Sequence, residues 1–254
     1  MTLFRNVVFV AALAGLLAGL VLAALQSFAI VPLIIEAEAI ENAGAAVQDH
    51  GDDRSGAAAA SAHEHAPGVA PHDHGEDAWA PSDGFARFAF SGAVNVVTGI
   101  GFALLLVVAS EMAGGMAGWR QGLMWGLAGF AVFTLAPGLG LPPELPAMPA
   151  ADLLDRQTWW LATVIATATG LALIAFKGGL TWSLAGLALI AAPHLLGAPQ
   201  PPTGDSLLPA GLHRQFMIAA TLTSLIFWTV LGAVAGAARR RFLGAASGLT
   251  GSLA

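Results

Sequence analysis

The sequence contains no cysteine, and only 10% of its 254 residues are charged. The first absence excludes disulfides, thiol redox chemistry and thiolate metal ligands. It leaves imidazole, carboxylate, thioether and backbone oxygen as the available donors. The second sets the chain apart from soluble domains, in which roughly 25% of residues are charged. Positive charge is scarce as well: Lys and Arg number 10 against 16 Asp and Glu, for a formal net charge of −6. Nucleic acid is therefore not an expected partner, because binding a phosphate backbone needs clustered Lys and Arg. No GxxxxGK[ST], HExxH or GxSxG motif occurs, and no cysteine nucleophile. An enzyme is not expected, nor an organic cofactor, nor a site for ATP.

What the chain does have is apolar length. Its mean hydropathy is +0.73 and 56% of its residues are hydrophobic. A helix rising about 1.5 Å per residue needs about 17 to 25 apolar residues to cross a hydrocarbon core of about 30 Å. Such runs occur at Val7 to Ile35, Phe88 to Ser110, Gln121 to Pro137, Thr158 to Phe176, Leu180 to Leu196 and Gln215 to Ala237. The first is too long for the short apolar core of a signal peptide, so it is predicted as a retained helix. The expected fold is an all-α integral membrane protein, a bundle of about six transmembrane helices. Its divisions are a first transmembrane helix over 1–35, an acidic outer loop over 36–87, a five-helix membrane region over 88–237 and a cytoplasmic tail over 238–254. The outer loop is expected to be disordered, because its Ala, Gly, Pro and acidic residues cannot bury enough apolar surface to offset their ordering entropy. Small residues four apart, in Gly15 and Gly19, Gly122 and Gly126, and Gly232 and Gly236, suggest close helix contacts.

Orientation follows from the basic residues, since short cytoplasmic loops are enriched in Lys and Arg. With both termini in the cytoplasm, the short inner segments carry Arg5, Arg120, Lys177 and the triplet Arg239, Arg240 and Arg241, while the much longer outer segments carry Arg54, Arg87, Arg156 and Arg214, so the contrast is one of density. The same arrangement puts every histidine outside, together with every acidic residue except Glu111. An outer face of that charge raises the local concentration of cations. The membrane expected is the bacterial cytoplasmic (inner) membrane.

The outer segment holds the most direct chemical signal. His63-Glu64-His65 and His72-Asp73-His74 repeat one alternating pattern, with His50 upstream. In an extended chain, residues two apart point the same way, so each pair offers two imidazoles to one ion. Imidazole with carboxylate suits divalent cobalt, nickel, zinc or copper, but affinity alone does not select cobalt among them. The loop is therefore read as a collector; the bland alternative is a soluble linker. At the outer end of the first span, Glu36, Glu38 and Glu41 follow Pro32. If the helix continues, Glu38 and Glu41 share a face; if the chain is extended, Glu36 and Glu38 do. Simple solvation of a helix end is the competing reading.

Glu144 lies in PGLGLPPELP, where proline breaks the helix and exposes carbonyl oxygens. His194 and His213 stand at helix ends, where a structural hydrogen bond is the commoner use. Gln26, Asn95 and Thr98 are intramembrane polar residues that can simply join helices. Glu111, with Met112 and Met116, is the inner-side ligand candidate, with a helix terminus as the simpler reading.

Five segments in order, VPLIIEAEAIE (31–41), QGLMWGLAGF (121–130), LGLPPELP (139–146), RQTWW (156–160) and APHLLGAP (192–199), resemble the CbtA family of cobalt transporter subunits. The resemblance implies cobalt import linked to cobalamin metabolism and a small single-span, His-bearing partner of CbtB type. It also implies an outer His-bearing loop, here His50 to His74, and makes Glu36, Glu38, Glu41, Glu144 and His194 the positions to test. Family members are often described with five spans, against the six counted here. The expected substrate is a divalent metal ion, Co2+ first and Ni2+ second. Expected partners are membrane lipid and the CbtB-type protein, with further copies of the chain left open. The alternatives are a membrane-anchored metal-binding, buffering or sensing module without transport, and a scaffold or enzyme whose loop histidines are incidental.

Overall fold

In lipid every backbone N–H and C=O has to be satisfied within the protein, and a helix does so within one segment. The computed structural model of the protein describes residues 2–52, 84–201 and 208–242, and these form helices and connecting turns without strands. The helices are α1 (Thr2–Ala29), α2 (Val31–Asp52), α3 (Phe85–Met112), α4 (Trp119–Phe130), α5 (Ala136–Gly140), α6 (Leu153–Phe176), α7 (Leu180–Leu196) and α8 (Ala210–Phe242). A π-helical turn, Ala131–Leu135, joins α4 to α5. Pro137, in the first turn of α5, has no N–H to return to the Phe133 carbonyl, and a π turn is one way to absorb such a break.

Five helices among the described residues are long and apolar enough to cross a membrane: Phe4–Ala29, Phe85–Met112, Trp119–Gly140, Leu153–Phe176 and Ala210–Phe242. The remaining expected span is α7, whose 17 residues reach about 26 Å at about 1.5 Å per residue. Gly179 and Gly197, at φ 84° and 87°, bound it. Both combine positive φ with extended ψ, a backbone that glycine takes without steric cost and that is not helical.

Three boundaries differ from expectation. The stretch after Glu36 was expected to be loop but is helical as far as Asp52. Its Ala, Glu, Ile and Gln are adequate helix formers, with one glycine before residue 51, and acidity does not oppose helix. Residues 85–87 belong to α3. The basic triplet, expected in a tail starting at 238, forms the last turn of α8, where positive charge complements the helix dipole. His63, His65, His72 and His74 lie outside the described residues; His50 is on α2, with its side chain outside the description. Pro32, in the first turn of α2, cannot donate to the Phe28 carbonyl, which breaks the α1–α2 helical path at Ile30.

Glycine sets the helix crossings. A Cβ on Gly122 would come within 2.8 Å of Gly236 Cα, and one on Gly232 within 2.7 Å of Gly126 Cα. α4 and α8 therefore cross antiparallel with backbone against backbone. α1 meets α3 in the same way at Gly19 and Val96, and α6 meets α7 at Gly170 and Gly186. Around these crossings Phe102, Phe133, Phe227 and Trp228 form one aromatic group. Phe133 stacks on Trp228 at 5.6 Å, and the Trp228 Nε1–H donates to Thr134 Oγ1 at 3.3 Å. Val10, Ala14, Val107, Met116, Leu231 and Ala235 are fully buried beside them.

The two ends of the bundle differ in charge. Asn6 Nδ2 donates to the Phe242 carbonyl at 3.2 Å, which puts the start of α1 beside the end of α8. With neighbouring helices antiparallel, that end also receives the α3–α4 and α6–α7 connections. It carries Arg5, Arg120, Lys177, Arg239, Arg240 and Arg241, with Glu111 as the acidic residue among those described. The opposite end receives α2, the start of α3, residues 141–152 and the facing ends of α7 and α8. It carries Glu36, Glu38, Glu41, Glu144, Asp152, Asp155, His194 and His213, together with Arg87, Arg156 and Arg214, so carboxylates outnumber the basic side chains there.

Candidate functional site

An apolar cluster organises the acidic end. Ile30, Ala37 of α2, Leu145 of the α5–α6 connection, and Leu208, Leu212 and Phe216 at the start of α8 pack into one buried group. Four candidate side chains belong to residues adjoining this cluster in sequence: Glu36 and Glu38 on either side of Ala37, Glu144 beside Leu145, and His213 beside Leu212. Helix propensity in α2 and the proline-broken segment at Glu144 thus carry their polar groups to the rim of a shared hydrophobic plug.

The carboxylates at this rim have arginine partners. Both guanidinium nitrogens of Arg87, in the first turn of α3, donate to Glu38, Nη2 to Oε1 at 2.7 Å and Nη1 to Oε2 at 3.3 Å. Arg156, in the first turns of α6, places Nη2 3.0 Å from Glu144 Oε2. The start of α6 is fixed by Asp152, whose carboxylate accepts from Leu154 N at 2.9 Å and Asp155 N at 3.2 Å, an N-cap. Glu36 and Glu41 are exposed on α2. Since α2 is helical, Glu38 and Glu41 fall on one side of it and Glu36 on another.

His194 stands one turn of α6 away from the Arg156 pair. Its ring meets Trp159 edge-on at 5.7 Å, and Trp159 Nε1–H donates to the Pro193 carbonyl at 3.3 Å. Arg156 and Trp159, three residues apart, therefore bring Glu144 and His194 to the same side of α6. His213 Nε2 lies 3.2 Å from the Pro143 carbonyl oxygen, a group that can only accept, so this contact puts a proton on Nε2. Deeper in the bundle, Asn95 Nδ2 donates to Gln26 Oε1 at 2.7 Å, tying α3 to α1. Among the described residues, no three His, Asp or Glu side chains gather as a group able to hold a metal ion.

The basic end is closed by a clasp. Arg239 pairs with both oxygens of Glu111 at the end of α3, and its Nη1 donates to the Met116 carbonyl at 2.7 Å. Gly115, at φ 83°, leaves room for the guanidinium, which a Cβ there would strike.

Reading the sequence counted Arg87 and Arg156 only as basic residues and gave them no partner. A signal was present: both stand in segments rich in acidic residues, so each called for a local carboxylate. Their partners were already among the candidates.

No curated protein and no solved structure matches the chain. The family model described as "Probable cobalt transporter subunit (CbtA)" matches residues 4–240. With five membrane-length helices and nearly the whole chain covered by one family model, the protein belongs to the CbtA family of cobalt transporter subunits.

Proposed function

We propose that the chain takes up a divalent metal ion, cobalt first and nickel second, across the bacterial cytoplasmic membrane, with its acidic end outside and both termini in the cytoplasm. The observation that carries this reading is the separation of charge between the two ends of the bundle. Short loops rich in Lys and Arg stay in the cytoplasm, and a face of clustered carboxylates and imidazoles draws cations from outside. In this reading His50, His63, His65, His72 and His74 collect the ion. Glu36, Glu38, Glu41, Glu144 and His194 form the polar vestibule to which it passes. A small single-span, His-bearing partner of CbtB type supplies what this subunit lacks.

A second reading is favoured by the sparse ligand set of the basic end, where Glu111 is already clasped by Arg239. In that reading the protein binds, buffers or senses metal at the outer face and supplies another transporter. Radiolabelled cobalt uptake into proteoliposomes separates the two. Flux through the wild-type chain, lost in Glu36→Gln/Glu144→Gln and only slowed by deletion of residues 50–77, supports transport with a separate collector. Cobalt binding without flux, with or without the partner, sinks the transport reading and leaves the binding module.

A further inference from the structure

We propose that the basic end of the bundle carries a seat for an anionic phospholipid, in the groove between the start of α4 and the end of α6. The seat does not depend on which ion the protein handles.

The groove follows from how the helices pair. α6 packs on α7 and meets the rest of the bundle chiefly at the π turn and α5, toward the acidic end. At the basic end a ring contact bridges α4 and α6, Trp125 to Phe176 at 6.4 Å between centroids. Beside it lies a groove of about 220 Å³, lined by Ala113, Gly115, Gln121, Met124, Trp125 and Phe176. Met124 and Phe176 are 66% and 60% exposed. Both belong to membrane-length helices, so these apolar side chains face lipid and the groove opens sideways into it.

Charge decides the occupant. Arg120 precedes Gln121 and Lys177 follows Phe176, so both cations stand at the rim of the groove. Arg5, Arg120, Lys177, Arg240 and Arg241 are exposed, and none has a carboxylate partner among the described residues. Glu111, the acidic residue at this end, is already matched by Arg239, and residues 243–254 contain no Asp or Glu. Such a face repels cations and attracts anions.

A small free anion would gain nothing from Met124, Trp125 and Phe176. A phospholipid uses both parts of the groove, its phosphate against Arg120 and Lys177 and its glycerol and upper acyl region against the apolar wall. Trp119, under the Arg120 guanidinium at 5.4 Å, marks the headgroup level, where tryptophan concentrates. The groove is smaller than the about 300–1,000 Å³ of pockets that enclose a whole drug-sized ligand. It therefore holds the headgroup end of a lipid whose chains stay in the bilayer. A lipid seated there closes the seam between α4 and the α6–α7 hairpin. The orientation rule accounts for basic residues anywhere in these loops; a seat requires the two at the rim.

The test is native mass spectrometry of the full chain released from detergent micelles, titrated with dioleoylphosphatidylglycerol or dioleoylphosphatidylcholine. The wild-type chain is expected to retain phosphatidylglycerol at concentrations where phosphatidylcholine is not held. Arg120→Gln and Lys177→Gln should each weaken that binding roughly fivefold, the effect of one basic residue near anionic lipid. Arg5→Gln removes the same charge from α1, which packs on α3 and α8, and should change binding by less than about twofold, because the attraction fades with distance. Ala113→Trp fills the groove without changing charge and should abolish retention; Ala113 is exposed, so the fold tolerates it. Equal losses in the Arg120, Lys177 and Arg5 variants mean diffuse attraction to a basic end and overturn the seat, whatever Ala113→Trp does. Retention by a monodisperse Ala113→Trp protein equal to wild type overturns it too. Displacement of the lipid by inorganic phosphate would assign the groove to a free anion and overturn the phospholipid.

Discussion

Replacing Gly122 with alanine should force α4 away from α8. The new Cβ would point at the Gly232 carbonyl and sit 2.8 Å from Gly236 Cα and 2.9 Å from Gly236 N. All of these are backbone atoms in the middle of a helix, so no side chain can rotate to make room. Carbon–carbon contacts settle at about 3.5–4.0 Å, so the helices have to separate locally by about 1 Å, a gap that forfeits a quarter to a half of the dispersion well for the atoms lining it. Overpacking of this kind costs about 1–3 kcal/mol, and the better helix propensity of alanine returns about 0.5–1 kcal/mol. The net expectation is a loss within roughly 0–2.5 kcal/mol, centred a little above 1.

The control is Gly101→Ala on α3, where a Cβ meets nothing within 4 Å. There only the propensity term acts, and the variant should gain about 0.5–1 kcal/mol. Unfolding in mixed micelles, followed by tryptophan fluorescence, measures both shifts; Trp228 lies at the affected crossing, its carbonyl oxygen facing Gly126. Equal shifts in the two variants, or a Gly122→Ala protein at least as stable as wild type, would refute the argument that glycine is required for this contact.

Removing the basic-end clasp with Arg239→Ala should cost about 1.5–3 kcal/mol, the range for hydrogen bonds to charged groups, in the same unfolding assay. The exchanged pair Glu111→Arg/Arg239→Glu should recover less than half, because a carboxylate at 239 faces the Met116 carbonyl that the guanidinium now serves. Trp228→Phe should lose about 1 kcal/mol through the missing donor to Thr134 Oγ1, and Thr134→Val should add little to it in a double-mutant cycle. Cobalt binding by the His-bearing segment should strengthen as pH rises through about 6.5, since imidazole ligates only when neutral. Binding that does not vary between pH 5.5 and 7.5 would count against those histidines as ligands.

The features legible in the sequence were those set by composition and period. Apolar length named the membrane helices, and glycines four apart marked helices that pack closely, without saying which helix meets which, because a residue without Cβ lets two backbones touch. Proline was read less well: the first helix was taken as one run over 1–35 although it breaks at Ile30, and the stretch from Pro137 was taken as irregular although α5 continues to Gly140. What stayed hidden depends on tertiary partners. Residues 36–52 of α2 read as a solvated acidic loop because their apolar members Ala37 and Ile40 pack with residues distant in sequence, 145–148 and the start of α8. The arginine pairs join positions 49 residues apart at Glu38 and Arg87 and could be suspected only from the oddity of arginine at an acidic face. His194 was legible as a helix-end histidine, but its Trp159 neighbour depends on how α6 and α7 pair.

The number of crossings follows from connectivity more firmly than from helix length. If only the five long helices crossed, each reversing the direction of the last, α8 would end opposite the start of α1. Instead Asn6 bonds to Phe242 and Phe9 meets the Phe242 ring at 5.0 Å, so the path contains an even number of passes. The additional pass is α7. It runs antiparallel to α6, with Gly186 against Gly170 near the middle and Pro193 against Trp159 at the acidic end. A helix some Å shorter than the hydrocarbon core can be accommodated by local thinning at a modest cost per Å, and α7 shares that adjustment with α6, to which it is tied by a two-glycine turn at Gly178 and Gly179. Five helices by length and six passes by direction are thus the same architecture, and the short α7 is the helix that returns the chain to the end where Glu144 and His194 stand.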